Sequence, residues 1–310
     1  MAVFNENRTF GVEIEVNTRK SQAEVVLDLN RSLSAAGLPP TAYQANWLSH
    51  DAPRGWKVTS DGSVSRGWEI VSPILSGFNG LAQLEAICNA MPEPDYSVDR
   101  STGLHIHHSI AGLNGQQVGN AFGIYWAYQT VIDYLVAPSR RGHQNYTSPI
   151  PDSSVRDPHE FKSMTKRQAT DKIRAGMGCN HTRSQCRFRC GARYHAVNPL
   201  SILTQDTMEF RQHQGTTSYT KISNWILLTQ SIIEAGRFTK RFPKTSYLRS
   251  NIKKASGNFY RLKGATQYTP ESNPQHSRSQ CEPYQKMWKY YNKVIAKFAL
   301  RDGLSVDQIK

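Results

Sequence analysis

The 310-residue sequence predicts an α+β protein built on a mostly antiparallel sheet, and three observations carry that expectation. Residues 9–16, 103–109 and 207–212 alternate apolar and polar side chains, the period-two pattern of strands with one face toward a core. Residues 56–59 and 68–73 are joined through Ser60-Asp61-Gly62-Ser63, a turn composition suited to a hairpin. Between these segments lie apolar stretches with helical period, which suit helices packed on one face of the sheet.

Taken in order, Phe10-Gly11-Val12-Glu13-Ile14-Glu15-Val16 places Glu13 and Glu15 on the same side of the first strand. A helix is predicted over 21–36, stopped by Gly37-Leu38-Pro39-Pro40. The hairpin follows, then a helix over 78–91 and a strand over 103–109 whose His105 and His107 share a face. Residues 116–136 are apolar and aromatic throughout, as in a buried helix, and Pro138 lies just beyond them. The polar, Arg- and Gly-rich segment 139–192 reads as long loops with one short helix at most. Short strands are expected at 194–197 and 207–212, and a long helix over 219–238. This divides the chain into a catalytic body, 1–240, and a basic, aromatic-rich C-terminal extension, 241–310.

Charge narrows the classes of partner. Lys and Arg number 38 against 24 Asp and Glu, a net +14 that favours nucleotides, phosphorylated substrates or nucleic acid. Residues 241–310 hold 14 basic and 4 acidic residues, so a net +10 sits in the extension. Aromatics interleaved with those charges, among them Tyr247, Phe259, Tyr284 and Trp288, suit a nucleic-acid contact. The plainer reading of Tyr284, Trp288 and Tyr291 is a helix core. No run approaches the length of a membrane span, and the N-terminus lacks an apolar signal stretch, so a cytoplasmic protein without membrane contact is expected. The five cysteines are odd in number and sparse, which favours reduced thiols. The spacing of Cys179, Cys186 and Cys190 fits no zinc module, so a structural zinc is not expected there.

The chemistry sits on the strands. Glu13 with Glu15, His105 with His107, and Glu209 with Arg211 are each two residues apart, and three such strands together would make one polar wall. Hard cations such as Mg²⁺ prefer carboxylate oxygens with an occasional imidazole. Each pair alone reads as a solvated strand face; the joint pattern is what points to a site.

Four stretches in order resemble the amidoligase family, relatives of glutamine synthetase and glutamate–cysteine ligase in the carboxylate–amine ligase superfamily. They are Phe10-Gly11-Val12-Glu13-Ile14-Glu15; Asp61-Gly62-Ser63 with Glu69-Ile70-Val71-Ser72-Pro73; Thr102-Gly103-Leu104-His105-Ile106-His107; and Met208-Glu209-Phe210-Arg211. The resemblance covers roughly residues 9–240 and implies a glutamine-synthetase-like catalytic sheet. It further implies that Glu13, Glu15, Glu69, His105 and Glu209 hold two or more Mg²⁺ ions, with Mn²⁺ as a substitute, which bridge the phosphates of ATP. His107 would lie near the transferred phosphate or the carboxylate substrate, Arg211 on the phosphate, and Arg193 would serve as a second arginine.

The implied reaction is ATP-dependent amide or isopeptide formation through an acyl phosphate, with release of ADP and phosphate. The small carboxylate would be an amino acid or peptide, and the amine acceptor could be a nucleotide or nucleic acid. Arg140 and Arg141 are read either as solvated basic surface or as phosphate-binding residues, and the 139–192 loop as a lid over the intermediate. The resemblance begins at the first strand, without the N-terminal domain that completes glutamine synthetase's site between subunits, so ring-shaped oligomers and ammonia use are not expected. Two other readings stand beside it. One is a non-catalytic basic nucleic-acid-binding protein; the other is a metal-dependent hydrolase using His105 and His107.

Overall fold

In the computed structural model the first alternating segment forms β1 (Phe10–Thr18), whose apolar positions Phe10, Val12, Ile14 and Val16 are all buried. The structure describes residues 4–46, 53–62, 64, 66–142, 147–155, 158–179, 190–239, 262 and 278–301. The chain divides into two units: Asn5–Ser109 with Phe210–Ile226, called here the sheet unit, and Met1–Phe4 with Ile110–Glu209 and Leu227–Lys310, the helical unit.

In the sheet unit, α1 (Gln22–Ala35) opens at a capping box. The Ser21 hydroxyl accepts the Glu24 N–H while the Glu24 carboxylate accepts the Ser21 N–H, satisfying two otherwise orphaned donors. Val25, Leu29 and Leu33, four apart, form its buried stripe. The helix ends before Gly37, whose φ of +72° suits a residue without a Cβ. Then come β2 (Tyr43–Gln44), β3 (Lys57–Thr59), β4 (Gly67–Val71), α2 (Gly77–Asn89), β5 (Tyr96–Ser97) and β6 (Gly103–Ser109). The predicted hairpin is present, with β3 antiparallel to β4.

The strand order is β2-β3-β4-β1-β6, with the Phe210–Gln214 part of a later strand, β8, beside β6 and with β5 paired to the end of β1. All these pairings with β1 are antiparallel; β2 runs parallel to β3. Val58, Ile70, Leu104 and Ile106 extend the buried apolar face of β1, and α1 packs on α2, β2 and β3.

His108 departs from the alternation. It is fully buried on the apolar side, its ring near those of Phe10 and Phe210. Burial, then the charges of Arg8 and His107, hold it well below the usual imidazole range. The folded chain thus keeps His108 neutral at pH values where an unfolded histidine, near 6.5, takes up a proton. Stability must therefore fall as pH drops through that value. His108→Leu should remove about 1.4 kcal/mol of the loss between pH 7.5 and 5.5. Denaturant midpoints of the two proteins at the two pH values check this; parallel losses would assign the acid sensitivity to other groups.

The helical unit is built on α3 (Gly115–Asp133), buried around most of its circumference and capped by Asn114 with Gln117. It ends three residues before the predicted 136, and Pro138 opens a 3₁₀ turn, Pro138–Arg140. The segment expected as loops carries more helix than its composition announced: α4 (Asp152–Val155), a 3₁₀ turn at Pro158–Phe161, and α5 (Lys166–Gly176). The reason is local. Thr165 and Gln168 form a capping box, and the buried stripe of α5 is only Ala169, Thr170 and Ile173, too small to stand out among charged neighbours. Gly119 of α3 lies against the Phe161 ring, where a Cβ would collide.

The strand expected over 194–197 is shorter and later. Gly191–Tyr194 is a 3₁₀ turn, and only Val197–Asn198 (β7) is extended. There follow α6 (Leu200–Gln205), β8 (Thr207–Gln214), α7 (Tyr219–Phe238) with the predicted bounds, and α8 (Arg278–Arg301). Both β8 and α7 begin in one unit and finish in the other. In α8 Trp288 and Tyr291 are buried, in line with the core reading of those two; the side chain of Tyr284 lies outside the described residues. Of the predicted extension, only Leu262 and this helix lie within the described residues.

The expectation of reduced thiols is corrected at one pair: Cys179 and Cys190 are joined by a disulfide. The end of α5 and the start of the 191–194 turn bring their Cα atoms to 5.8 Å, within bridging range, which spacing in sequence does not reveal. Cys186 and His181 lie outside the described residues. Among the described residues no helix is long and apolar enough to cross a membrane.

Candidate active site

The register of the sheet unit brings its polar side chains into rows. Glu13 pairs with His105 across β1 and β6, Glu15 with Glu69 across β1 and β4, and Glu69 with Thr59 across β4 and β3. Directly paired residues project from the same face, so Glu13, Glu15, Glu69 and His105 form one patch opposite the apolar core. His107 pairs with Gly11 and joins them.

Contacts fix four of these residues firmly. Glu13 Oε2 lies 2.9 Å from His105 Nδ1, and Glu13 Oε1 lies 3.2 Å from His107 Nε2, so one carboxylate engages both imidazoles. Glu15 Oε2 accepts the Gly103 N–H at 2.6 Å, while its Oε1 is 3.9 Å from His105 Nε2. Glu69 differs: among the described residues its carboxylate accepts no hydrogen bond. Lys57 stands on the same face, paired with Val71 beside Glu13.

The electrostatics follow from that crowding. Burial pushes the Glu13 carboxyl up, but the charge and hydrogen bonds of His107 and His105 outweigh it and hold Glu13 well below the usual carboxylate range. Glu69 is pushed well above that range by burial and then by the negative charges of Glu13, Asp61 and Glu15, with Lys57 opposing. Concentrated negative charge of this kind is what a bound cation relieves. Ligand atoms of Glu13, Glu69 and His105 all lie within 4.8 Å of one another. Two carboxylates and an imidazole, with Glu15 alongside, are a donor set that fits Mg²⁺ or Mn²⁺.

The remaining predicted residues divide between the units. Arg211, half-buried on β8, belongs to the sheet unit with the carboxylates. Glu209, two residues earlier on that strand, belongs to the helical unit, where the Asn198 side-chain amide donates to its Oε2 at 2.6 Å. Asn198 is fixed in turn by the Leu200 N–H. Arg193 is exposed in the helical unit, its guanidinium 5.4 Å from the centre of the Tyr194 ring. Arg140 is buried, against the solvated reading. Arg141 is committed to its own turn, with Nε and Nη2 donating to the Val136 carbonyl and the guanidinium over Tyr134.

Three residues escaped the sequence reading. Lys57 and Thr59 alternate around Val58 as Glu13 and Glu15 alternate around Ile14, so the period-two signal was available but the strand was too short to stress it. Asn198, the partner of Glu209, carried no signal of its own.

A protein-family model described as "Putative amidoligase enzyme" matches residues 6–233. No curated protein matches the chain. Among solved structures the chain is similar to the crystal structure of the complex between prokaryotic ubiquitin-like protein Pup and its ligase PafA. The two are 11% identical with a TM-score of 0.40, and the similarity covers 99% of this chain and 72% of that one.

Proposed function

Because the chain belongs to the amidoligase enzyme family, whose members form amide bonds, we propose that it is an ATP-dependent carboxylate–amine ligase. It would join a small amino acid or peptide carboxylate to an amine through an acyl phosphate, with ADP and phosphate as products. The observation that carries this reading is the patch of Glu13, Glu15, Glu69 and His105 on one face of β4, β1 and β6, all within the matched region.

A carboxylate does not condense with an amine in water unless it is first activated. Bound Mg²⁺ and ATP would supply that activation, neutralising phosphate charge and providing the phosphoryl group. Glu13, Glu15 and Glu69 would hold the cations, and His105 would complete the set. His107, whose Nε2 lies 3.2 Å from Glu13 Oε1, would meet the reacting carboxylate or phosphoryl oxygens. Arg211 offers a forked guanidinium suited to paired phosphate oxygens. On this reading residues 1–240 form a catalytic body of the glutamine-synthetase type. The basic surplus of 241–310 supports a phosphate-bearing acceptor, a nucleotide or nucleic acid.

Calorimetry with a non-hydrolysable ATP analogue tests the proposal. Binding should require Mg²⁺ and weaken roughly ten- to a hundredfold in Arg211→Ala, the scale of a lost charged hydrogen bond. A folded chain that binds Mg²⁺ but no analogue at any Mg²⁺ concentration would instead favour a metal-dependent hydrolase at His105 and His107.

A further inference from the structure

The Thr59 hydroxyl stands beside the patch, buried and unsatisfied among the described residues. Thr59 is 3% exposed, and among the described residues its hydroxyl has no hydrogen-bond partner. A buried hydroxyl left unsatisfied costs about 1–3 kcal/mol, and valine would fill the same space in a strand without that cost. Stability alone therefore selects against threonine here.

Position supplies a reason for it. Thr59 is the direct cross-strand partner of Glu69. Directly paired side chains have their Cβ atoms about 5 Å apart, so a rotamer change in either brings hydroxyl and carboxylate into hydrogen-bond range. Glu69 is also the carboxylate that needs a donor. Gly103 holds Glu15, the two histidines hold Glu13, and Asn198 holds Glu209.

We propose that Thr59 is a positioning residue for the site: its hydroxyl donates the hydrogen bond that fixes the Glu69 carboxylate while that carboxylate holds a divalent cation. A carboxylate that coordinates through one oxygen leaves the other to accept from a neighbour, and such outer contacts orient the ligand. The inference rests on the metal-binding part of the function proposed above.

The test compares Thr59→Val and Thr59→Ser with the native chain, using Mn²⁺ alone as the probe and calorimetry as the readout. Thermal unfolding in EDTA runs in parallel. Thr59→Val should weaken Mn²⁺ binding about 10–100-fold. It should also raise the melting temperature in EDTA by about 2–4 °C, because the orphaned hydroxyl is gone. Thr59→Ser, which keeps the donor, should bind Mn²⁺ within a few-fold of the native chain. Native affinity in Thr59→Val overturns the inference and leaves the proposed function standing. Weaker binding together with a lower melting temperature assigns Thr59 to packing and overturns it equally. A native chain that binds no Mn²⁺ overturns the metal reading itself, and the inference with it.

Discussion

Replacing Glu13 with glutamine is expected to abolish turnover and to weaken divalent-cation binding by at least about 100-fold while the fold survives. Outer hydrogen-bond partners of metal ligands are worth 10–100-fold, and Glu13 is proposed as a ligand itself. The substitution keeps the shape and removes the charge. That charge is the centre of the patch, meeting His105 on one oxygen and His107 on the other. The carboxyl is held well below its ordinary range despite burial, so it is the ionised form that the surroundings have been arranged to keep. Glutamine can accept from one imidazole, but its amide would present a donor toward the other or toward the cation. Mn²⁺ affinity, turnover and far-ultraviolet circular dichroism together check the result. Near-native Mn²⁺ affinity in a folded Glu13→Gln variant would return Glu13 and Glu15 to the ordinary status of a polar strand face.

The second large effect is on the scaffold. Gly67, the first residue of β4, pairs with Asn17 of β1, and a Cβ there would collide with the Val16 carbonyl oxygen and crowd Asn17 Cα. Both obstacles are backbone, which cannot swing aside as a side chain can. Overpacking a core typically costs about 1–3 kcal/mol. Gly67→Ala should lie at or beyond the upper end, because relief requires β4 to move away from β1. Glu69 lies two residues further on, so the same displacement should also weaken Mn²⁺ binding. Gly11→Ala on β1 is the control: its Cβ would sit at ordinary distances of 3.7 Å from His107 Cβ and 3.8 Å from Ser72 Oγ. Denaturant unfolding should show a markedly lower midpoint for Gly67→Ala and little change for Gly11→Ala. Equal midpoints would mean that the β1–β4 pairing tolerates a wider spacing than the structure shows.

Elements whose signal is local were legible in the sequence. Alternation located β1 and β6, and the apolar period located α7 with its observed bounds. Capping and stop chemistry marked α1, from Ser21 to Gly37. The elements that escaped are those whose signal is not local. The two-residue strands β2 and β5 exist through a neighbour's pairing, not through a pattern of their own. The small stripe of α5 needed its tertiary context, as did the partnership of Cys179 with Cys190.

The candidate site divides in the same way. Period two put Glu13 with Glu15 and His105 with His107, but which strand lies beside which is a property of the whole sheet. Only the register shows that Glu13 faces His105, that Glu15 faces Glu69, and that Thr59 stands behind Glu69. The elevated carboxyl of Glu69 is likewise invisible in its own neighbourhood, since Glu13 and Glu15 lie more than fifty residues away in sequence.

The division of the chain also bears on the order in which it can be assembled. The sheet unit takes Asn5–Ser109, then waits through Ile110–Glu209 before Phe210–Ile226 returns to complete it. On a ribosome, β1, β4 and β6 emerge early, yet the strand that lines the open side of β6 comes about a hundred residues later. Closing a loop of that size carries an entropic cost that grows only slowly with length, but contacts this distant in sequence delay folding. Until residue 226 has been synthesised, the nascent chain carries an unpaired β6 edge, the kind of surface that pairs promiscuously with other strands. Early translation is thus the window in which this protein has most to gain from a chaperone.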